Sequence, residues 1–179
     1  ETGARLVPGI EYSDPDNVVH IPVWGAREFL GSEIPTADLM VRLAGQEQAF
    51  AMLAHPNRRA AWERIDSQWL DRLHAVEVWN RKSDGIRASR VRSWIQETGL
   101  PPMASLDFHS DRQRFPMVTT IDGVDSADVG SMLLAMREGR YRTTVGGVPL
   151  AIASSRISSR LLGLADGLRR AVFSHFPRR

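Results

Sequence analysis

The sequence predicts an α/β protein in which helices cover a sheet of parallel strands. Short apolar segments alternate with amphipathic helical segments through the middle of the chain, an order typical of parallel sheets with outer helices. Polar residues that could take part in chemistry follow several of the predicted strands, which is where such sheets hold their sites. The chain has 179 residues, the size of one domain, so we predict a single domain over residues 1–179.

The first third of the chain predicts two strands, a helix and a buried strand. Residues 5–13 (RLVPGIEYS) and 18–24 (VVHIPVW) are apolar segments on either side of the turn sequence DPDN. Residues 37–48 have the apolar spacing of a helix that begins after a threonine cap. Residues 49–54 (AFAMLA) predict a buried strand, which ends at a His-Pro pair.

The rest of the chain continues the alternation of helices and strands. The predicted helices cover residues 60–73, 86–98, 127–138 and 156–174. The predicted strands cover residues 75–79, 103–108 and 116–121. Residues 140–153 predict a hairpin or strand around a Gly-Gly pair.

Composition excludes several classes of site. The chain has no cysteine, so disulfides, zinc thiolates and cysteine nucleophiles are excluded, and any metal ligands must be His, Asp or Glu. The same absence is typical of a cytoplasmic protein. No stretch approaches the roughly 18 apolar residues of a membrane span, so no membrane contact is expected. Of the 23 basic residues only Lys82 is lysine, which indicates either a GC-rich genome or a surface that meets phosphates.

Acidic and imidazole side chains lie at or near the ends of successive predicted strands. They are Glu11, His20, His55, Asp107 and His109. Asp107 and His109 are two residues apart, so they share a face if the strand continues through them. An ordinary strand that runs into a polar loop is the other interpretation. Because the carboxyl ends of parallel strands meet at one edge, we expect the five side chains to line one pocket, and their chemistry favours Zn, Mn or Fe in an open, catalytic site.

The ordered blocks VPGIE, VVHIPVWG, AHP, VEVWN and LDFHS resemble the PHP superfamily (polymerase and histidinol phosphatase domains) over residues 5 to about 123. The resemblance implies part of a distorted seven-stranded β/α barrel, with a cluster of two or three divalent metal ions at the strand ends. It implies a phosphoesterase that hydrolyses a phosphate ester through a metal-activated water. Carried over residue by residue, it implies that the metals are held by Glu11, His20, His55, Asp107 and His109, with His55, Asp107 and His109 as catalytic residues.

The family's HxH strand has no counterpart in this chain, in which His20 is the first histidine. We therefore expect a segment upstream of Glu1, or a partner chain, to supply the missing strands of the barrel. Two alternative functions stay open. One is a non-catalytic PHP-like module that serves as a binding or scaffold piece in a larger assembly. The other is a nuclease that acts on nucleic-acid ends, towards which the arginine excess points.

Other residues permit more than one interpretation. Glu77 alternates with valines and is either a buried acceptor for a ligating histidine or a surface glutamate. Residues 80–82 and 110–114 either bind a substrate phosphate or form solvated loops. Trp24 lies near a strand end and either packs or stacks on a nucleobase. His74, at a helix end, is expected to have no function.

Overall fold

The computed structural model describes residues 6–80, 89–107, 109, 117–125, 128–145 and 148–149. The strands of this part are β1 (Gly9–Ser13), β2 (His20–Trp24), β3 (Phe50–Leu53), β4 (Ala75–Asn80), β5 (Pro102–Ser105), β6 (Met117–Ile121), β7 (Tyr141–Val145) and β8 (Val148–Pro149). The α-helices are α1 (Thr36–Ala44), α2 (Ser89–Thr98) and α3 (Val129–Arg137). Two 3₁₀ segments cover Arg58–Arg64 and Ser67–Arg72.

The strands form an open mixed sheet, and the prediction of a parallel barrel is wrong. Five strands lie in the order β1-β2-β3-β4-β5, and a separate antiparallel sheet has the order β6-β7-β8. Only the β3–β4 and β4–β5 pairs are parallel, whereas β2 is antiparallel to both of its neighbours. Within the described residues the sheet does not close into a seven-stranded barrel. The α/β class itself is confirmed.

The short connection between β1 and β2 explains why they are antiparallel. Only residues 14–19 separate the two strands, and a parallel pair needs a crossover of about a dozen residues or more. Asp14 fixes this connection, because its buried carboxylate accepts hydrogen bonds from the backbone N–H groups of Val18 and Val19 at 2.6 and 3.0 Å. The turn thus reverses the chain and brings the start of β2 beside the end of β1.

The two faces of the five-stranded sheet pack against different helices. Because side chains alternate along a strand, Ile21, Val23, Leu53, Val76 and Val78 lie on one face, within the larger hydrophobic core. Helices α1 and α2 and the 3₁₀ segments contribute to that core. The other face contains a smaller cluster, in which Leu133 of α3 packs with Phe50, Met52, Ala75 and Met103. By the same alternation, Glu11, His20 and Glu77 also lie on this second face. The candidate site is therefore on the face that packs against α3.

The helix predicted over residues 60–73 is replaced by the two 3₁₀ segments. Ile65 and Asp66 between them are extended, and the Asp66 side chain accepts a hydrogen bond from the backbone N–H of Gln68 at 3.0 Å. Such local capping competes with continuous helix. Ile65 and Leu73 are nevertheless buried, so the apolar spacing correctly identified the residues that face the core.

The remaining predicted elements within the described residues are found with shifted ends. The last predicted helix, over residues 156–174, lies outside the described part of the chain. The hairpin prediction for residues 140–153 is confirmed as far as β7 and β8 extend. Strands β1 and β5 are the two edges of the larger sheet, and the segment expected to complete a barrel stays a prediction.

Among the described residues, no helix has both the length and the apolar character needed to cross a membrane.

Candidate metal centre

The candidate site lies at the strand termini on one side of the sheet, where β1 and β3 end and β2 begins. Glu11 projects from β1, His20 is the first residue of β2, and His55 follows β3 by two residues. The antiparallel pairing of β1 and β2 places Ser13 opposite His20, which brings Glu11 and His20 together on one face. Three elements thus deliver three side chains of metal-ligand type to one place.

Glu11, His20 and His55 form a tight group. The Oε1 atom of Glu11 lies 2.8 Å from Nδ1 of His20 and 3.6 Å from Nε2 of His55. The two imidazole rings are 4.7 Å apart between centroids and are steeply inclined to each other. One possible ligand atom from each residue falls within 4.8 Å of the other two, so this group could bind a metal ion.

The geometry of the group fits a metal site. Ligands bound tetrahedrally at about 2.0–2.1 Å are separated from one another by about 3.3 Å, and the two distances to the Glu11 oxygen lie on either side of that value. Among the described residues, Nδ1 of the buried His55 ring has no hydrogen-bond partner. A metal ion held between Glu11 and Nε2 of His55 would not contact this atom, so the distances to the Glu11 oxygen carry the fit.

Glu11 has the protonation state that a metal ligand requires. Hydrogen bonds with His20 and then with His55 hold the pKa of the Glu11 carboxyl far below its usual value, against the opposing effect of burial. The carboxyl is therefore ionised at neutral pH. A carboxylate with two imidazoles is a donor set that suits Zn, Fe or Mn.

Arg58 fixes the tautomer of His20. Nη1 of Arg58 lies 2.7 Å from Nε2 of His20, and a guanidinium can only donate. Nε2 is therefore an acceptor, and Nδ1 carries the proton that His20 donates to Glu11. The Asn17 amide, also 2.6 Å from Nε2, can present either its oxygen or its nitrogen to the ring. A metal ion at Nδ1 would replace the proton between His20 and Glu11.

Asp107 and His109 form a separate pair that opens on the same space. Nε2 of His109 lies 2.8 Å from Oδ1 of Asp107, whose side chain is 13% exposed against 58% for His109. A cavity of about 440 Å³ is lined by Glu11, Asn17, His20, His55, Arg58, Asp107 and His109. The structure thus brings all five predicted ligands to one cavity, although only Glu11, His20 and His55 form the tight group.

Several residues around the site have left-handed backbone conformations that glycine usually adopts. The φ angles are 28° at His55, 45° at Asp107 and 53° at Asn17. Such conformations cost about 1–3 kcal/mol for residues with a side chain, and they concentrate at functional sites. The backbone therefore turns these side chains towards the cavity at a cost in stability.

Glu77 is buried behind the site. Its side chain is only 1% exposed, and its Oε2 accepts a hydrogen bond of 2.5 Å from the backbone N–H of His55. Its Oε1 accepts a hydrogen bond from the Ser105 hydroxyl. Of the two interpretations that the sequence allowed for Glu77, the buried acceptor is confirmed, although its partner is the His55 backbone.

Arg58 is a site residue that was not predicted from the sequence. The signal that could have found it is its place three residues after His55, in the turn that follows the His-Pro pair. Positions 81, 82 and 110–114, the predicted phosphate contacts, lie outside the described residues. His74 is half-buried and accepts a hydrogen bond from the backbone N–H of Ala51, away from the site.

The fold of this chain is similar to that of PsfC. The crystal structure of PsfC from Pseudomonas syringae PB-5123 matches with a TM-score of 0.55 and 17% sequence identity, over 96% of this chain and 68% of that chain. No family model matches the sequence, and no curated protein matches it. At this identity the likeness concerns the fold alone.

Proposed function

We propose that this protein is a metal-dependent phosphoesterase. The observation that supports the proposal best is the group formed by Glu11, His20 and His55, which presents an ionised carboxylate and two imidazoles to an open cavity. The ordered sequence blocks that resemble the PHP superfamily supply the reaction class. In this proposal Glu11, His20 and His55 hold a divalent cation, which is Zn, Mn or Fe by the chemistry of its ligands.

The number of ligands favours catalysis over a structural role for the metal. Structural zinc sites are closed by four protein ligands, whereas catalytic sites keep a position open, and the tight group supplies three side chains. A bound divalent cation lowers the pKa of water and stabilises charge on phosphoryl oxygens. The chain's own residues then have to hold the ester, orient it and transfer protons.

Arg58 is placed to hold the phosphate. It lines the cavity beside His20 and His55. A guanidinium has five N–H donors, so it can contact His20 and an anion at the same time. Arginine binds phosphate oxygens through two parallel hydrogen bonds, which would fix the orientation of the ester relative to Glu11.

Asp107 and His109 are placed to transfer a proton. The Asp107 carboxylate holds the exposed imidazole of His109 at 2.8 Å, so the ring has a fixed direction while it remains accessible from the cavity. An imidazole held in this way can give a proton to the departing alkoxide oxygen. Ligation of a second cation by the same pair is the alternative role, and it predicts two bound ions per chain.

Metal analysis and ester hydrolysis test the proposal together. The purified chain is loaded with Zn²⁺, Mn²⁺ or Fe²⁺, dialysed, and assayed for metal content and for hydrolysis of 4-nitrophenyl phosphate. We expect at least one bound ion per chain and turnover that His55→Ala and Asp107→Ala abolish, while Glu47→Gln, a change at an exposed glutamate, leaves it intact. Retained turnover in both alanine variants would refute the assignment. Less than one bound ion without hydrolysis would favour the non-catalytic scaffold module.

A further inference from the structure

The candidate site has two halves that meet at four residues. The cavity of about 440 Å³ continues from the site to Asn17, His20 and Arg58, so the residues that line this half are all polar or ionisable. A second cavity, of about 280 Å³, continues in another direction over the face of the sheet. Both cavities are lined by Glu11, His55, Asp107 and His109.

The second cavity has eight lining residues that the first one lacks, and six of them are apolar: Gly9, Ile10, Pro22, Trp24, Met52 and Ala54, beside the polar Glu77 and Ser105. Pro22 and Trp24 share a face of β2 with His20, and Met52 lies on the same face of β3. These three side chains form an apolar wall beside Glu11 and His55, and Gly9 of β1, which pairs with Trp24, continues it. The cavity therefore offers apolar contact directly beside the groups proposed to hold the metal and the phosphate.

The position of the Trp24 ring in this wall depends on Gly9. The two residues are paired across β1 and β2, and a Cβ atom on Gly9 would lie only 2.4 Å from Cδ1 of Trp24. On another side the indole packs against Phe50, with ring centroids 5.7 Å apart. Because Gly9 has no side chain, the indole can lie directly over it.

We propose that the second cavity binds the organic group of the ester, and that this group is apolar and about the size of one ring. The inference rests on the proposed function, because it takes the phosphate to lie in the polar half. A volume of about 280 Å³ is just below the roughly 300–1,000 Å³ that is usual for small-molecule pockets. The substrate class is accordingly a small aryl or cyclic phosphate ester, and a polynucleotide is excluded from this half of the site.

The arrangement gives each part of such a substrate a matching environment. The charged phosphoryl group stays beside Arg58 and the ionisable residues, where its desolvation is compensated by charge. The ring leaves water for the wall formed by Pro22, Trp24 and Met52, and burial of apolar surface favours binding in proportion to its area. The ester oxygen then lies between the two halves, at the four shared residues.

Binding of two non-hydrolysable phosphonates to the metal-loaded chain tests the inference without depending on turnover. Isothermal titration calorimetry compares phenylphosphonate with methylphosphonate, which has the same anionic group and no ring. We expect phenylphosphonate to bind at least about tenfold more tightly. An affinity ratio below twofold, or no binding of either compound, would overturn the inference. In both cases the 4-nitrophenyl phosphate assay separately decides whether the proposed function stands.

Two variants test whether the phenyl ring of phenylphosphonate binds in the second cavity. Gly9→Ala forces the Trp24 ring to move and is expected to reduce the phenyl preference to threefold or less, with methylphosphonate binding unchanged. Gly45→Ala is the matched control, because its added Cβ meets only an ordinary contact of 3.6 Å. Trp24→Ala, which removes the ring from the wall, serves where Gly9→Ala does not fold, and it should also lower the preference. A preference that survives the folded variants would place the ring elsewhere and overturn the inference.

Discussion

The backbone N–H of His55 donates a hydrogen bond of 2.5 Å to the carboxylate of Glu77. This bond joins the segment just after β3 to the neighbouring parallel strand β4. The second oxygen of the same carboxylate accepts from Ser105 at the end of β5. One buried side chain thus connects three strands directly behind the candidate metal centre, and it holds His55 in its left-handed conformation.

Replacing Glu77 should affect both stability and metal binding. Glu77→Ala removes the acceptor of two groups, and each lost buried hydrogen bond costs about 1–3 kcal/mol, so we expect destabilisation by about 2–6 kcal/mol and at least tenfold weaker metal binding. Ser105→Ala, which removes one of the two bonds, is the matched variant and should cost about 1 kcal/mol. Urea unfolding and metal titration measure the two effects. Equal results for both variants would show that the bond to His55 has no special role.

Removal of one charge from the tight group should weaken metal binding specifically. Glu11→Gln keeps the size of the side chain and loses the anionic ligand, so we expect the affinity for Zn²⁺ or Mn²⁺ to fall about 10- to 100-fold, a range typical of changes around metal sites. The control is Glu47→Gln, which removes the same charge from an exposed position. Equilibrium dialysis with metal analysis measures the affinity. Similar affinities for the two variants would argue against the group as a metal site.

Replacing Arg58 should weaken the binding of phosphate more than it slows the chemical step. We expect Arg58→Ala to raise the KM for an aryl phosphate and the inhibition constant of inorganic phosphate about tenfold, because a charge-assisted hydrogen bond of about 1.5–3 kcal/mol is lost. Arg59→Ala is the control, since Arg59 lies next in sequence and contacts backbone oxygens of Asp16 and Asn17. If the two variants have the same KM and inhibition constant, Arg58 does not bind the phosphate.

His74 should make the protein less stable in acid. Burial, followed by the charge of Arg137, lowers the pKa of His74 from 6.5 to about 4. Between these pH values the unfolded chain binds a proton that the folded chain does not, so the free energy of unfolding falls as the pH is lowered through this window. With allowance for partial exposure, the loss is about 1–2 kcal/mol. Urea unfolding from pH 7 to pH 4.5 should show a smaller loss in His74→Gln than in the unchanged chain, and identical losses would contradict this account.

Asp14 should be necessary for the turn that positions His20. Asp14→Ala removes the acceptor for the backbone N–H groups of Val18 and Val19, so we expect destabilisation by about 1–3 kcal/mol. Asp14→Asn keeps an acceptor oxygen and should cost less. Thermal unfolding compares the two variants. If Asp14→Asn is as unstable as Asp14→Ala, the ion pair of Asp14 with Arg64 matters more than the turn.

Much of the candidate site could be predicted from the sequence because its residues stand beside recognisable strands. Glu11, His20 and His55 are adjacent to apolar segments of strand length, and the structure brings them within reach of one metal ion. Glu77 was ambiguous, because a strand buried on both faces has no polar face by which to orient a carboxylate. Arg58 was missed because it lies in a turn, where no periodicity connects a side chain to a particular face.

The fold was predicted less well than the site. Alternation of strands and helices indicated parallel strands, but residues 14–19 are too few for a crossover, and this information was present in the sequence. The helix predicted over residues 60–73 was wrong because the side chain of Asp66 starts a new turn locally, and periodicity alone does not register such capping.

By itself, the sequence determined which side chains are available as ligands and which segments become strands, because both depend on local order along the chain. Only the tertiary structure decided that Glu11, His20 and His55 converge while Asp107 and His109 remain a separate pair. It also decided that an apolar cavity adjoins them. The physical reason is that convergence depends on strand direction, register and backbone conformation, which are set by contacts between residues far apart in the sequence.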